Sequence, residues 1–259
     1  RTKALARPAP EDAQKPATPR PSLLSRIWQG FLVAILAVIG AGLLAVAGGL
    51  GLYAYYAQSL PSPDEMYQRA ATFQSARIYD RHGRLLFEFF DPNGGRRMVA
   101  RYHELPAVVV EATVATEDGS FFTNPGVNPL ATLRALWQDL QHGEMVFGGS
   151  TITQQVVKNL FLTRERTVER KVQEAILATE LTRRYSKEEI LEVYLNDAYF
   201  GNLAYGIGAA ANTYFGKDVS DLQLHEAALL AGLIQSPVPY DPYTDPDAAL
   251  SRRAVVLGL

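Results

Sequence analysis

From Ile27 to Pro63 the chain carries no charged residue, and from Phe31 to Leu52 it is apolar or glycine throughout. A helix of that length spans the ~30 Å hydrocarbon core of a bilayer. Such a helix also pairs its backbone groups within itself, as a lipid environment demands. Trp28 at one end and Tyr53, Tyr55 and Tyr56 at the other have the place and chemistry of interfacial anchors. A secretory signal peptide is the competing reading, but the run is too long and no small-residue cleavage site follows it. Residues 27–57 are therefore expected to form a transmembrane helix. Residues 1–26 are rich in Pro and Ala and hold Arg1, Lys3, Arg7, Lys15, Arg20 and Arg26 against only Glu11 and Asp12. This segment reads as a disordered tail. Its positive excess places it on the cytoplasmic side, with the rest of the chain facing outside the plasma membrane. Ala41, Ala45 and Gly49 have the spacing of a helix-pairing row, but in a span so rich in Gly and Ala no dimer is expected from it.

The formal net charge of the chain is -2, so nothing polybasic argues for a nucleic-acid partner. It has no cysteine, which excludes disulfides, thiolate metal sites and a cysteine nucleophile. The histidines His82, His103, His142 and His225 show neither ligand spacing nor an HExxH pattern. No Ser-x-x-Lys occurs, so a penicillin-sensitive serine site is not expected on this piece. The chain begins at Arg1 rather than methionine and stops at Leu259 within an apolar stretch, so it is expected to be part of a longer protein.

Residues 58–75 read as a linker. From Ser75 to Val99 the pattern is β: Arg77–Asp80 and Arg84–Glu88 flank an Arg81-His82-Gly83 turn, and Pro92–Gly95 makes a second turn. From about Pro106 the pattern is helical. Ser186-Lys187-Glu188-Glu189 is a capping box before the stripe Ile190, Leu191, Tyr194, Leu195 and Ala198. Ser220-Asp221-Leu222-Gln223 reads as another, before a nearly all-apolar helix from Leu224 to Ile234 that Pro237 and Pro239 stop. A helix apolar on every side belongs at the centre of a domain. The expected fold is mainly α, with a small β element and an N-terminal transmembrane helix. Gly206-Ile207-Gly208-Ala209-Ala210-Ala211 matches a dinucleotide fingerprint loosely, but no strand precedes it, so the match carries no weight.

Three segments carry chemistry. Glu117 and Asp118 end the apolar stretch Val108–Ala115 and precede Phe121 and Phe122. An acid at the end of a buried helix beside aromatics can have its basicity tuned by partial desolvation; a solvated acid pair is the plain alternative. Gly148 and Gly149 lead into Ser150, Thr151 and a helix, a natural seat for an anion. On that helix Thr151, Gln155, Lys158 and Asn159 fall on one face, and Gln154 lies four residues before Lys158. A single charge among amides and hydroxyls suits oriented hydrogen bonds to sugar or phosphate, against the alternative of a solvated face. Arg170, Lys171 and Glu174 repeat the spacing, where an ordinary surface pair worth a few tenths of a kcal/mol is the plain reading. The Val127–Phe147 region holds Leu130, Leu133, Leu136, Trp137 and Leu140, and suits either a helix core or a lipid-facing flap.

Taken together, these segments resemble the peptidoglycan glycosyltransferases of family 51. The resemblance rests on Glu117-Asp118-x-x-Phe121 with Gly126, on Gly149-Ser150-Thr151-Ile152-Thr153-Gln154-Gln155 with Lys158-Asn159, and on Arg170-Lys171-x-x-Glu174. Two later blocks agree: Lys187-x-x-Ile190-Leu191-Glu192-x-Tyr194-Leu195-Asn196 and Arg252-x-x-x-Val256-Leu257. The blocks run in order over residues 76–259, and the β-rich entry and Gln235-Ser236-Pro237 look more like the class A penicillin-binding members than the monofunctional ones. The resemblance implies a lysozyme-like α fold with a hydrophobic jaw near the membrane, roughly Val127–Phe147. It implies polymerisation of lipid II into glycan strands, with membrane lipid and other cell-wall synthesis proteins as partners. By position, Glu117 matches the catalytic base and Glu174 the second essential carboxylate. Asp118, Ser150, Thr151, Gln154, Gln155, Lys158, Asn159, Arg170 and Lys171 fall in the substrate-holding blocks. A divalent cation, magnesium or manganese, is the one cofactor the resemblance leaves room for, near Glu117 or Glu174. Asn124 stands where the family's first block often has histidine, and no catalytic step is assigned to it. A lysozyme-like glycan hydrolase and a non-catalytic anchored scaffold are the rival readings.

Overall fold

The computed structural model describes residues 23–58, 76–82, 85–89, 95–131, 134, 149–162, 165 and 167–259. Most of the expected jaw, the Pro92–Gly94 part of the second turn, most of the linker and residues 1–22 of the N-terminal tail lie outside the described residues, while residues 23–26 of that tail belong to the first helix. The chain divides into two compact units, Arg1–Leu52 and Tyr53–Leu259.

The first unit is built on α1 (Leu23–Ala57), a single unbroken helix. At 1.5 Å per residue it is about 52 Å long, more than enough to cross a membrane. Its segment Arg26–Tyr56 passes that test on length and composition. Trp28, Phe31, Leu36, Val38, Leu43, Leu44 and Leu50 are each more than half exposed, as side chains that face lipid would be.

The second unit opens with an antiparallel hairpin, β1 (Ala76–Tyr79) on β2 (Leu85–Phe89), with Ala76 opposite Phe89 and a bulge at Ile78/Tyr79. A short strand β3 (Arg96–Arg97) then pairs in parallel with β4 (Ala204–Tyr205), a pairing that two-residue runs give no sequence pattern to reveal. The entering chain is clipped further by Asn196. Its side chain accepts from the Ala100 N–H at 2.9 Å and donates to the Ala100 carbonyl at 2.8 Å.

Helices make up the rest: α2 (Ala107–Glu117), α3 (Ile152–Phe161), α4 (Val168–Arg184), α5 (Lys187–Asp197), α6 (Ile207–Phe215), α7 (Leu224–Gln235) and α8 (Pro246–Leu257). Most start where a side chain satisfies the otherwise unpaired first-turn N–H groups. Ser186 caps α5 in a box with Glu189, as its sequence suggests. The second box lies elsewhere than the sequence suggests. Ser220 sits in a 3-10 turn, Val219–Asp221, capped by Asp218, and the box that starts α7 is Gln223 with Glu226. The helix starts at Leu224 as expected, and the short turn before it moves the cap three residues along, from Ser220 to Gln223.

The all-apolar helix is central. α7 packs on α2 and α8, while α3 packs on α4 and α5. Ala227, Ala228, Leu230, Ala231 and Leu233 of α7 are buried, as are Leu177, Leu181, Ile190, Leu191, Tyr194 and Leu195 of α4 and α5. A Cβ on Gly232 would stand 2.9 Å from Cγ of Arg252. A hydrogen there lets α8 close on α7, with the Arg252 guanidinium laid over the Tyr240 ring at 5.7 Å.

Candidate active site

Glu117 is the last residue of α2, and Asp118 leaves the helix with φ -160°. The base candidate therefore stands at a helix end, half-buried, and not within a solvated acid pair. Its Oε2 accepts a 2.8 Å hydrogen bond from Nε2 of Gln155. Asp118 turns the other way and is 9% exposed. Its oxygens accept from Ser120 Oγ at 2.9 Å, Asn124 Nδ2 at 2.9 Å and the Ile152 N–H at 3.3 Å. Those bonds tie the loop after α2 to the first turn of α3. Although Asp118 is in a substrate-holding block, its carboxylate is committed to the fold.

Asn124 completes that tie. Its Oδ1 accepts from the Gly126 N–H at 2.9 Å and from Lys187 Nζ at 3.1 Å. The Lys187 ammonium stands 4.6 Å over the Phe121 ring. Burial pulls its pKa below the ordinary lysine value, while the Asp118 charge acts the other way. Gly126 has φ +99°, and a Cβ there would lie 2.3 Å from the Ala178 carbonyl oxygen. Only glycine lets this loop lie against α4.

At the start of α3, Thr151 and Gln154 are each 2% exposed. Thr151 is the N-cap: its hydroxyl accepts from the Gln154 N–H and donates to the Gly126 carbonyl at 2.6 Å, while Gln154 returns a bond to the Thr151 N–H. Both are expected from their block to hold substrate; in the structure their side chains are engaged in the cap, and Thr151 also lines a cavity shared with Glu117. An N-cap side chain folds back on its own helix end, so both are committed to the cap. Ser150, one residue earlier, stays accessible, and its Oγ accepts from Lys171 Nζ at 2.7 Å.

Glu174 is 1% exposed, so it is no surface partner. Arg170 NH1 bonds its Oε2 at 2.8 Å, and Lys171 Nζ bonds its Oε1. A buried carboxylate flanked by two cations is a fixed counter-charge, not a free acid. Along α3 the remaining residues follow in helical steps. Gln155 meets Glu117, and one turn further Asn159 donates to Asp197 Oδ2 at 3.3 Å. Lys158 is exposed on the same helix.

A cavity of ≈ 180 Å³ connects the two sides: Glu117, Asp118, Ser120, Asn128, Gly149 and Ser150 line it. The base candidate and the hydroxyl that Lys171 touches thus share one hollow, and Lys171 carries the connection on to Glu174. The described start of the expected jaw is pinned to its edge. Asn128 donates to Ser120 Oγ at 3.0 Å and accepts from the Ala131 N–H at 2.9 Å.

Glu174 offers a poor metal seat. Both oxygens of Glu174 are taken by cations, and no group of three His, Cys, Asp or Glu side chains gathers among the described residues. Tyr194 is the site residue that sequence reading passed over: it sits in the apolar stripe of α5, yet its hydroxyl donates to Gln155 Oε1 at 3.4 Å. A tyrosine at a buried position has a polar end to place, and that, with its place in the family's fourth block, was the sequence signal for it.

Comparison with known proteins shows the family. The transglycosylase family profile matches residues 82–259. Penicillin-binding protein 1A/1B of Bacillus subtilis is 44% identical over 230 residues, 88% of this chain and 24% of that protein. Penicillin-binding protein 1A of Aquifex aeolicus is 42% identical over 223 residues, 86% of this chain and 30% of that protein. A crystal structure of penicillin-binding protein 1A from Haemophilus influenzae matches with a TM-score of 0.36 and 24% identity, over 71% of this chain and 18% of that one. The chain spans about a quarter to a third of the length of the relatives it matches. Since the family match begins in the β1–β2 turn, runs to the last residue and takes in the whole cavity wall, the chain belongs to the transglycosylase family.

Proposed function

We propose that the chain is a membrane-anchored peptidoglycan glycosyltransferase that polymerises lipid II into glycan strands. The observation that carries this reading is the shared cavity: a half-buried carboxylate on one wall, and on the other a hydroxyl tied to cations that a buried carboxylate holds in place.

Glu117 takes the proton from the 4-hydroxyl of the acceptor's GlcNAc. That oxygen attacks C1 of the donor MurNAc from the face opposite the leaving group. The bond from C1 to the pyrophosphate oxygen breaks, its electron pair leaves with undecaprenyl pyrophosphate, and the new linkage is inverted. Ser150, Arg170, Lys171 and Lys158 hold the donor pyrophosphate and offset the charge that builds on it. Glu174 positions two of those cations. Asn159 contacts the donor sugar. α1 crosses the plasma membrane with the basic tail inside and the catalytic unit outside, where lipid-linked substrate and other wall-synthesis proteins meet it.

A glycan hydrolase would also use paired acids, but water as acceptor and a finished strand as substrate give the cation cluster nothing to neutralise. The test is to incubate the full chain in detergent with lipid II. Long strands and released undecaprenyl pyrophosphate are expected, and Glu117→Gln is expected to lower the rate by about 10²–10⁴-fold with the fold intact. Glu117→Gln at the parent rate would sink the assignment of the base. Cleavage of finished glycan in place of lipid II polymerisation would favour the hydrolase.

A further inference from the structure

Each end of the Gln155 amide has a partner inside the protein. Its Nε2 donates to Glu117 Oε2 at 2.8 Å and its Oε1 faces the Tyr194 hydroxyl at 3.4 Å. A carboxylate can only accept and a phenol proton needs an acceptor, so this arrangement admits one orientation of the amide. Tyr194 is 2% exposed, and α5 sets its ring in the core. Its hydroxyl has a second acceptor within reach, the Glu117 carboxylate itself. Burial, with the negative charge of Glu117 adding to it, pushes the phenol's pKa well above its ordinary value. Tyr194 is therefore a steady donor at working pH and no source of protons.

We propose that Gln155 and Tyr194 are positioning residues for the base: together they clamp the Glu117 carboxylate so that one oxygen is held and the other meets the acceptor hydroxyl. The inference rests on Glu117 being the base. Its chemical content is a moving hydrogen bond. While Glu117 is ionised, the Tyr194 hydroxyl turns to the carboxylate. Once Glu117 has taken the acceptor's proton, the same hydroxyl turns to Gln155 Oε1. No proton leaves Tyr194, and a small rotation replaces the reordering of solvent. Gln155, expected from its block to hold substrate, acts instead through Glu117.

The test compares Tyr194→Phe, Gln155→Met and Glu117→Gln in the full chain, with kcat and KM for lipid II and Tm measured for each. Loss of one hydrogen bond to a charged group predicts a fall in kcat of about ten-fold for each of the first two variants. KM is expected to stay near the parent value, a split that a general packing defect or a lost substrate contact would not give. The double variant is expected to lose less than the product of the single losses, because both act on one carboxylate. Either single variant at the parent kcat would overturn the inference, as would a loss that falls on KM. Gln155 lies on a partly exposed helix face, so its variant decides the matter even if Tyr194→Phe lowers Tm. An inactive Glu117→Gln beside a fully active Tyr194→Phe would remove the clamp and leave the base. A fully active Glu117→Gln would remove both.

Discussion

Asp197, at the end of α5, accepts from Asn159 and sits half-buried beside Tyr194. Burial pushes its carboxyl above the ordinary aspartate value, while the Arg97 charge and the Asn159 amide act in the opposite sense. A raised carboxyl favours the protonated form in the folded state. The stability it contributes is complete below the unfolded pKa, about 3.9, and is lost as pH rises through the folded value. Asp197→Asn keeps an acceptor for Asn159 and removes the buried charge. We expect it to raise Tm by roughly 1–3 °C at neutral pH, with the gain shrinking as pH falls toward 4. Thermal scans at both pH values check this, and an equal gain at both would contradict it. Residue identity alone could not separate Glu174 from a surface pair, because Arg, Lys and Glu at these spacings look the same in water and in a core. What distinguishes it is burial, which makes removal of either cation costly where an exposed pair would hardly register it.

α3 is the element on which the site is strung: Ser150 just before its cap, Gln155 one turn in and Asn159 one turn further. Its N-terminus is fixed from three sides, by the Thr151–Gln154 box, by Asp118 on the Ile152 N–H, and by the Thr151 hydroxyl on Gly126. Thr151→Ala removes the cap and the bond to Gly126. The cap alone is worth about 1 kcal/mol, which in a body of this size lowers Tm by roughly 2–4 °C. Activity is expected to fall beyond what the Tm change explains, because the cap also sets the reach of Gln155 to Glu117. Calorimetry beside a lipid II assay checks both; an unchanged Tm would mean the cap does not hold the helix. The polar segment from Gly149 to Asn159 was legible as unusual. Its division of labour was not, since a Thr or Gln in a capping box and one facing a ligand have the same composition. The capping-box rule worked where the helix starts on serine, at Ser186. It misplaced the cap of α7, where Asp218 closes a 3-10 turn first and Gln223 does the capping.

The molecule combines a membrane-length helix with a second unit that buries its own apolar core, the condition for a part to fold alone. A chain beginning at Tyr53 is expected to keep a cooperative melt within roughly 3 °C of the full chain and to lose co-sedimentation with phospholipid vesicles. Sedimentation equal to that of the full chain would show that α1 is not the anchor. The mainly helical fold, the hairpin entry and the α7 core were legible in sequence, because each is written in local periodicity and turn chemistry. So was the family, because its blocks are contiguous runs. What only the tertiary structure decided is which polar side chains face the cavity. Asp118, Thr151 and Gln154 give their hydrogen bonds to the loop and the helix start, although Asp118 and Thr151 also line the cavity with Glu117 and Ser150. Tyr194, written as core, places its hydroxyl at the base. The physical reason is that a sequence specifies which groups must be satisfied. Whether the partner is a neighbouring backbone or a substrate depends on which distant segments packing brings alongside.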